Sequence, residues 1–211
     1  LFTWAEAAMA RFQPSEAAHG DLAAHFATLY KAWAVLAAVM VAGALLVTFL
    51  WPMPQPLRIA VGTGLGGTLL KGLARLAQEH RRAAGRVSSA AALDMITTGG
   101  GFAAGAVLAW MGLGGAAPLT GLAAITAIAL VFVLPSELRL MKGGRFEPAR
   151  AKAYAAYGLP LAASLILALA LNSVDRLLIA AYLNESSVGV YHAGYSLANR
   201  TLDVMFIWLG S

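Results

Sequence analysis

The stretch Ala32–Leu50, AWAVLAAVMVAGALLVTFL, decides the fold, because it carries no charged residue over the length of a membrane crossing. A helix needs about 20 mostly apolar residues to cross the hydrocarbon core of a bilayer. The uncharged run continues to Leu57 through Trp51 and several prolines, which mark its outer end. We therefore predict a transmembrane helix here.

The composition of the whole chain agrees with a membrane protein. Of its 211 residues 60% are hydrophobic and only 12% are charged, and the mean hydropathy is +0.72. Soluble domains are nearer half apolar and a quarter charged, so an ordinary cytosolic enzyme, a disordered chain and a nucleic-acid module are excluded. The chain has no cysteine, which removes disulfides, thiolate chemistry and cysteine-ligated zinc.

Further apolar runs predict an all-α fold, a polytopic transmembrane bundle of about six spans. The run from Met95 to Ser136 is too long for one crossing, and we expect the turn-rich segment Gly112–Pro118 to divide it into two helices joined by a tight loop. The other predicted spans are Ile59–Ala77, Ala153–Val174 and Val188–Ser211, the last interrupted by Arg200 and Asp203.

Basic residues fix the orientation of these spans. They cluster in two short loops and are absent from the intervening connections: Arg81, Arg82 and Arg86 in the first loop, and Arg139, Lys142, Arg145, Arg150 and Lys152 in the second. Short basic loops stay cytoplasmic. This placement accounts for the net charge of +5 without a nucleic-acid partner, and it favours membrane lipids as the neighbours of these loops.

The chain divides into four segments on these grounds. We expect residues 1–31 to be a cytoplasmic loop or surface helix after an earlier, missing span, and residues 32–136 to form four transmembrane helices. Residues 137–153 form a basic cytoplasmic loop, and residues 154–211 form two further helices. The start at Leu1 and the end at Ser211 inside an apolar run suggest a piece of a longer polypeptide.

Two patterns that resemble binding motifs have simpler explanations. The stretch Gly62–Gly67 matches the dinucleotide-binding spacing but lacks its strand context and its distal acid. We expect Gly62 with Gly66, and Gly101 with Gly105, to allow close helix packing instead. The histidines have no metal-ligand spacing, so we expect neither a metal nor a cofactor.

Ionisable residues at membrane depth are the candidates for function, because a charge at the bilayer centre needs a partner or a cavity. They are Asp94, Asp175, Arg176, Arg200 and Asp203. Arg200 and Asp203 stand three residues apart and are able to pair along one helix face. Asp94 fits the cytoplasmic mouth of a span equally well, and Asp175 with Arg176 fits an interfacial pair.

The C-terminal third carries motifs that resemble those of the polysaccharide-biosynthesis flippases, the Wzx-like exporters of lipid-linked oligosaccharides within the multidrug/oligosaccharidyl-lipid/polysaccharide superfamily. The motifs are Gly158-Leu159-Pro160-Leu161, the pair Asp175-Arg176 and Val188-Gly189-Val190-Tyr191, followed by Ala193-Gly194-Tyr195. The resemblance implies about fourteen helices in two lobes that rock around a polar cavity. This chain would hold four helices of the N-terminal lobe and the first two of the C-terminal lobe.

The resemblance also implies function and site residues. The expected activity is flipping of a polyprenyl-pyrophosphate-linked oligosaccharide across the bacterial inner membrane for surface polysaccharide export, without making or breaking a bond. The expected partners are the lipid-linked substrate, membrane lipids, a polysaccharide polymerase and other assembly proteins. The stretch from Tyr195 to Leu202 is similar to Y-x-A-D-R-L of the related lipid II flippases, with Asn199 in place of aspartate.

That similarity implies a phosphate-binding Arg200 in the cavity, with Asn199 and Tyr195 beside it. We assign Asp175, Arg176, Asp203 and Pro160 structural or gating roles. Two other functions stay open: a drug or cation antiporter of the same superfamily, and a membrane polysaccharide polymerase or glycosyltransferase. The short outer connections argue against a polymerase or glycosyltransferase. The Asp-Arg and V-G-x-Y motifs favour the oligosaccharide exporters of the superfamily over the antiporters.

Overall fold

The computed structural model describes residues 2–19, 21–51, 54–183 and 185–209, and the regular structure of these residues is entirely helical. The α-helices are α1 Thr3–His19, α2 Leu22–Leu50, α3 Gln55–Ala83, α4 Val87–Asp94, α5 Gly101–Leu108, α6 Ala117–Leu140, α7 Pro148–Tyr182 and α8 Glu185–Leu209. Two π-helical segments, Met95–Gly100 and Ala109–Leu113, flank α5, and a short 3-10 turn, Gly114–Ala116, precedes α6.

Three helical segments among the described residues are long and apolar enough to cross a membrane: Leu22–Leu50, Val87–Leu140 and Pro148–Tyr182. Together with the composition they make the chain a membrane protein. The predicted span Ile59–Ala77 lies on α3, and the described part of Val188–Ser211 lies on α8; both helices are long enough to cross a membrane, but neither is among these three segments. Six spans within a larger bundle therefore stay a prediction.

The long apolar run 95–136 is divided as the sequence predicts. Gly112 and Gly114 have φ of 97° and 58°, a backbone conformation that glycine adopts without steric cost. The chain reverses there, and α6 packs back on α5 through glycine. A Cβ atom on Gly121 would lie 2.3 Å from the backbone nitrogen of Gly105. The predicted close packing at Gly101 and Gly105 is therefore present, whereas nothing lies within 4 Å of a Cβ on Gly62 or Gly66.

The chain forms two compact units, Leu1–Ala162 and Ala163–Ser211, which we call the N-terminal unit and the C-terminal unit. The core of the N-terminal unit collects buried side chains from α1, α2, α3 and α7, among them Trp4, Met9, Phe26, Leu76 and Tyr154. Within the segment 1–31, predicted as a loop or surface helix, the described residues thus form α1 and the start of α2, and the apolar face of α1 is buried in this core.

The G-L-P-L motif takes part in the same packing. Gly158 lies so close to α1 that a Cβ atom there would be 2.5 Å from the carbonyl oxygen of Trp4. Pro160 lies inside α7 and is exposed. Because proline has no backbone N–H, it removes one helical hydrogen bond at that point. The division of the chain into two lobes at residues 153 and 154 stays a prediction.

Candidate functional site

Four of the sequence-predicted or motif residues meet between α7 and α8 in the C-terminal unit. The hydroxyl of Tyr191 donates to Oδ2 of Asp175. The guanidinium of Arg176 lies 5.4 Å from the centre of the Tyr195 ring, within the range of a cation–π contact. The rings of Tyr191 and Tyr195 stack with their centres 5.8 Å apart. The Asp-Arg pair and the tyrosines of the next motif therefore hold the two helices together.

The remaining predicted ligands are less fully placed. Asn199 is exposed on α8. The side chains of Arg200 and Asp203, also on α8, lie outside the described part of the structure. The structure therefore tests neither the phosphate-binding role of Arg200 nor its pairing with Asp203.

A pocket in the N-terminal unit gives a second candidate site, which the sequence analysis did not single out. It lies among α1, α3 and α6 and has a volume of about 310 Å³. Its wall is made of glycines, apolar side chains and a few polar groups. The lining residues are Phe2, Thr3, Glu6, Gly64, Gly67, Thr68, Lys71, Gly72, Arg75, Leu119 and Leu122.

Lys71 is the first of two basic residues in this pocket. Its ammonium donates to the hydroxyls of Thr98 at 2.7 Å and Thr97 at 3.1 Å. It lies 3.6 Å from Oδ1 of Asp94, whose side chain is half exposed. Both threonines belong to the π-helical segment after α4, and such segments occur frequently at functional sites. Two threonine hydroxyls and the carboxylate of Asp94 thus hold the ammonium at the pocket.

Arg75 follows Lys71 by four residues, so both side chains project from the same face of α3. Its nearest acid is Glu6 of α1, whose Oε2 is 4.0 Å from Nη1 of Arg75. The Arg75 side chain is 55% exposed, whereas that of Glu6 is 15% exposed. Burial raises the pKa of Glu6, and the positive charge of Arg75 lowers it in part. Arg75 therefore retains capacity for a further anionic partner.

A buried cluster of charged residues lies further along α3. At its centre is Glu137 of α6, which is 1% exposed. Its Oε2 accepts from the hydroxyl of Tyr30 at 3.0 Å and from Nδ1 of His80 at 2.7 Å. Its Oε1 lies 3.4 Å from Nη2 of Arg81. We call these four residues the Glu137 cluster; it joins α2, α3 and α6.

Two further polar contacts lie near this cluster. His25 Nδ1 and the Tyr154 hydroxyl are 2.6 Å apart and connect α2 to α7. Nη2 of Arg86, in the turn between α3 and α4, lies 3.3 Å from Nε2 of His80. No group of three or more potential ligands is placed to hold a metal ion among the described residues.

The sequence contains signals for both N-terminal sites. Lys71 and Arg75 stand at helical spacing inside a predicted span, which is a signal for a shared polar face. Glu137 follows directly on an uncharged run, so a loop position is the simpler prediction from sequence. Its partners Tyr30 and His80 are 107 and 57 residues away along the chain, and nothing in the local pattern indicates them.

The sequence profile of a family described as "polysaccharide biosynthesis protein" matches residues 10–206. No curated protein and no solved structure matches the chain.

Proposed function

Because the chain belongs to the polysaccharide biosynthesis protein family, we propose that it flips a polyprenyl-pyrophosphate-linked oligosaccharide across the bacterial inner membrane. Membership of the family gives a role in polysaccharide synthesis or export. The finer proposal is a multi-pass transporter that works by alternating access, for export of a surface polysaccharide. It makes and breaks no bond and is therefore not an enzyme.

The observation that carries this proposal is the pair of cations in the pocket of the N-terminal unit. A pyrophosphate-sugar head group cannot cross hydrocarbon unaided, because burying a charge without partners is very costly. Lys71 and Arg75 supply two positive charges beside a hollow lined by glycines and threonines. Their nearest acids are 3.6 Å and 4.0 Å away, so neither cation makes a short charge-assisted hydrogen bond to a carboxylate.

An anionic head group would compete with Glu6 and Asp94 for these cations. The Arg75 guanidinium has a planar fork of donors that matches two phosphate oxygens, and the Lys71 ammonium acts as a compact charge beside it. The substrate would gain two strong contacts, while the half-exposed carboxylate of Asp94 would keep its contact with solvent and with the hydroxyl of Thr98. The polyprenyl tail would stay in the lipid.

In the C-terminal unit we propose, from the family resemblance, that Arg200 with Asn199 and Tyr195 binds the head group. Asp175 and Arg176 would act structurally, because their side chains engage Tyr191 and Tyr195. Asp203 is the alternative partner of Arg200. We propose the lipid-linked substrate, membrane lipids, a polysaccharide polymerase and other assembly proteins as the partners.

The test uses the complete protein in sealed vesicles that contain a fluorescent polyprenyl-pyrophosphate oligosaccharide. A membrane-impermeant quencher reports which leaflet the head group occupies. We expect protein-dependent movement of this lipid, no lengthening of its glycan, and no exchange of an organic cation for protons. Cation exchange without lipid movement would overturn the proposal in favour of the antiporter, and glycan lengthening would overturn it in favour of the polymerase.

A further inference from the structure

His80 lies between the cation Arg86 and the anion Glu137. Each of its two ring nitrogens contacts one of them. Nδ1 is 2.7 Å from Oε2 of Glu137, and Nε2 is 3.3 Å from Nη2 of Arg86. The ring itself is buried, with 5% exposure. It packs against Phe26 with ring centres 4.8 Å apart. The imidazole is therefore held in one orientation, with its Nε2 edge towards the turn between α3 and α4.

If the contact between Arg86 and Nε2 is a hydrogen bond, it selects one tautomer of the neutral ring. A guanidinium only donates hydrogen bonds, so the contact with Arg86 requires a lone pair on Nε2. The proton of the neutral ring is then on Nδ1, where it is donated to Glu137. The three side chains form a directional chain in which Arg86 donates to His80 and His80 donates to Glu137.

We propose that His80 is a proton-binding site that controls the junction between α3 and α4. A proton taken up on Nε2 converts the acceptor that faces Arg86 into a donor and gives the ring a positive charge. The hydrogen bond to Arg86 is then lost, while the one to Glu137 is kept. Imidazole suits this role because its charge changes in the physiological pH range.

The charged and titratable groups around His80 come from several elements. Glu137 of α6 contacts Nδ1 of the ring. Arg81 on the same helix as His80, Arg86 in the turn and His25 of α2 are its cationic or titratable neighbours. Tyr30 donates to Glu137, and Gln13 of α1 donates to the backbone carbonyl of His80 at 3.2 Å. Glu79 and Arg82 on α3 pair with each other at 2.6 Å.

Helix α4 connects this junction to the pocket in the same unit. It begins immediately after Arg86 and ends at Asp94, the carboxylate nearest to Lys71. In this proposal, loss of the hydrogen bond between Arg86 and His80 loosens the start of α4, whose end lies beside a pocket cation. The inference does not rest on the proposed transport activity, because the junction is observable without substrate.

The experiment follows the motion of α4 in the complete protein. The chain has no cysteine, so a single introduced cysteine gives a single spin label within this sequence. We place it at Ser88→Cys, an exposed position on α4. Its electron paramagnetic resonance spectrum is recorded in lipid vesicles between about pH 8 and about pH 5.5, the range in which histidine titrates. We expect the spectrum to shift towards the mobile component as the pH falls.

Two variants and one control decide the outcome. In His80→Gln the amide still accepts from Arg86 and donates to Glu137 but does not titrate, so the label should stay immobile throughout. In Arg86→Ala it should be mobile throughout. The control is Arg82→Ala, which removes an exposed arginine in the last turn of α3. This variant should behave like the parent protein. A pH response that persists in His80→Gln, or no response in the parent protein, would overturn the proposal.

Discussion

Helix α3 carries two groups of basic residues, which differ in their burial and in their distance from carboxylates. Lys71 and Arg75 border an open pocket, and the nearest carboxylates are 3.6 Å and 4.0 Å away. His80 and Arg81 lie in the Glu137 cluster, where one carboxylate with 1% exposure faces three donors at 2.7–3.4 Å. The same helix thus contains loosely paired cations and a fully enclosed ion cluster.

This difference separates two kinds of role for charge in a membrane protein. A buried carboxylate with matched donors fixes the positions of the helices that supply them, and it has no capacity for another ligand. A cation that borders a pocket and makes no short hydrogen bond to its acid is available to a ligand. We therefore expect the Glu137 cluster to determine stability and the pocket cations to determine activity.

The largest expected effect is the loss of folded protein in Glu137→Ala. Removal of one partner from a buried ion pair leaves the other charges uncompensated, at a cost of about 3–5 kcal/mol. Because typical proteins are stable by only about 5–15 kcal/mol, abundance in the membrane should fall severely. Thermal unfolding of purified protein measures the effect on stability directly.

The matched control is Asp94→Ala. The Asp94 side chain is half exposed, and the hydroxyls of Thr97 and Thr98 still hold Lys71 when it is removed, so we expect a cost of about 1 kcal/mol, as for exposed ion pairs. This variant should accumulate close to the level of the parent protein. Equal losses of folded protein in Glu137→Ala and Asp94→Ala would contradict the distinction between the Glu137 cluster and the pocket cations.

A smaller loss is expected from Asp175→Ala in the C-terminal unit. Asp175 is more exposed than Glu137, but it binds Tyr191 across two helices. Its removal should lower the amount of inserted protein to a moderate extent, measured by quantitative immunoblotting of membranes. Arg176→Lys keeps the positive charge beside Tyr195 and should lower it less. Normal abundance with abolished transport in Asp175→Ala would instead place this residue in the substrate pathway.

The helix hairpin is the part of the fold that the sequence predicts best, because its signals are local. The uncharged run and the glycines at 112 and 114 determine where the chain crosses and where it turns. The start of α2 is less predictable. Hydropathy favours Ala32, whereas the helix begins at Leu22 after Asp21, which accepts from the backbone N–H of Ala24. Hydropathy indicates membrane depth, and capping determines where a helix begins.

In the candidate sites, too, local sequence predicts the motifs but not the contacts between distant helices. The motifs between Gly158 and Tyr195 predict the family, and the profile match confirms it. They do not predict that Arg176 lies over the ring of Tyr195, because that contact depends on how α8 packs on α7. The Glu137 cluster is invisible to local pattern, since its donors come from helices that are distant in sequence.

We expect the cations of the α3 pocket to bind the anionic substrate and not to maintain the fold. The most direct test is the rate of lipid-linked oligosaccharide flipping by Lys71→Gln/Arg75→Gln in vesicles of equal protein content. The control is Arg58→Gln, an exposed arginine of α3 that does not line this pocket.

We expect normal insertion of both proteins. Loss of two charged contacts of about 1.5–3 kcal/mol each should slow flipping by at least about tenfold in the double variant, with no change in the control. Normal insertion with an unchanged flipping rate in the double variant would contradict the account.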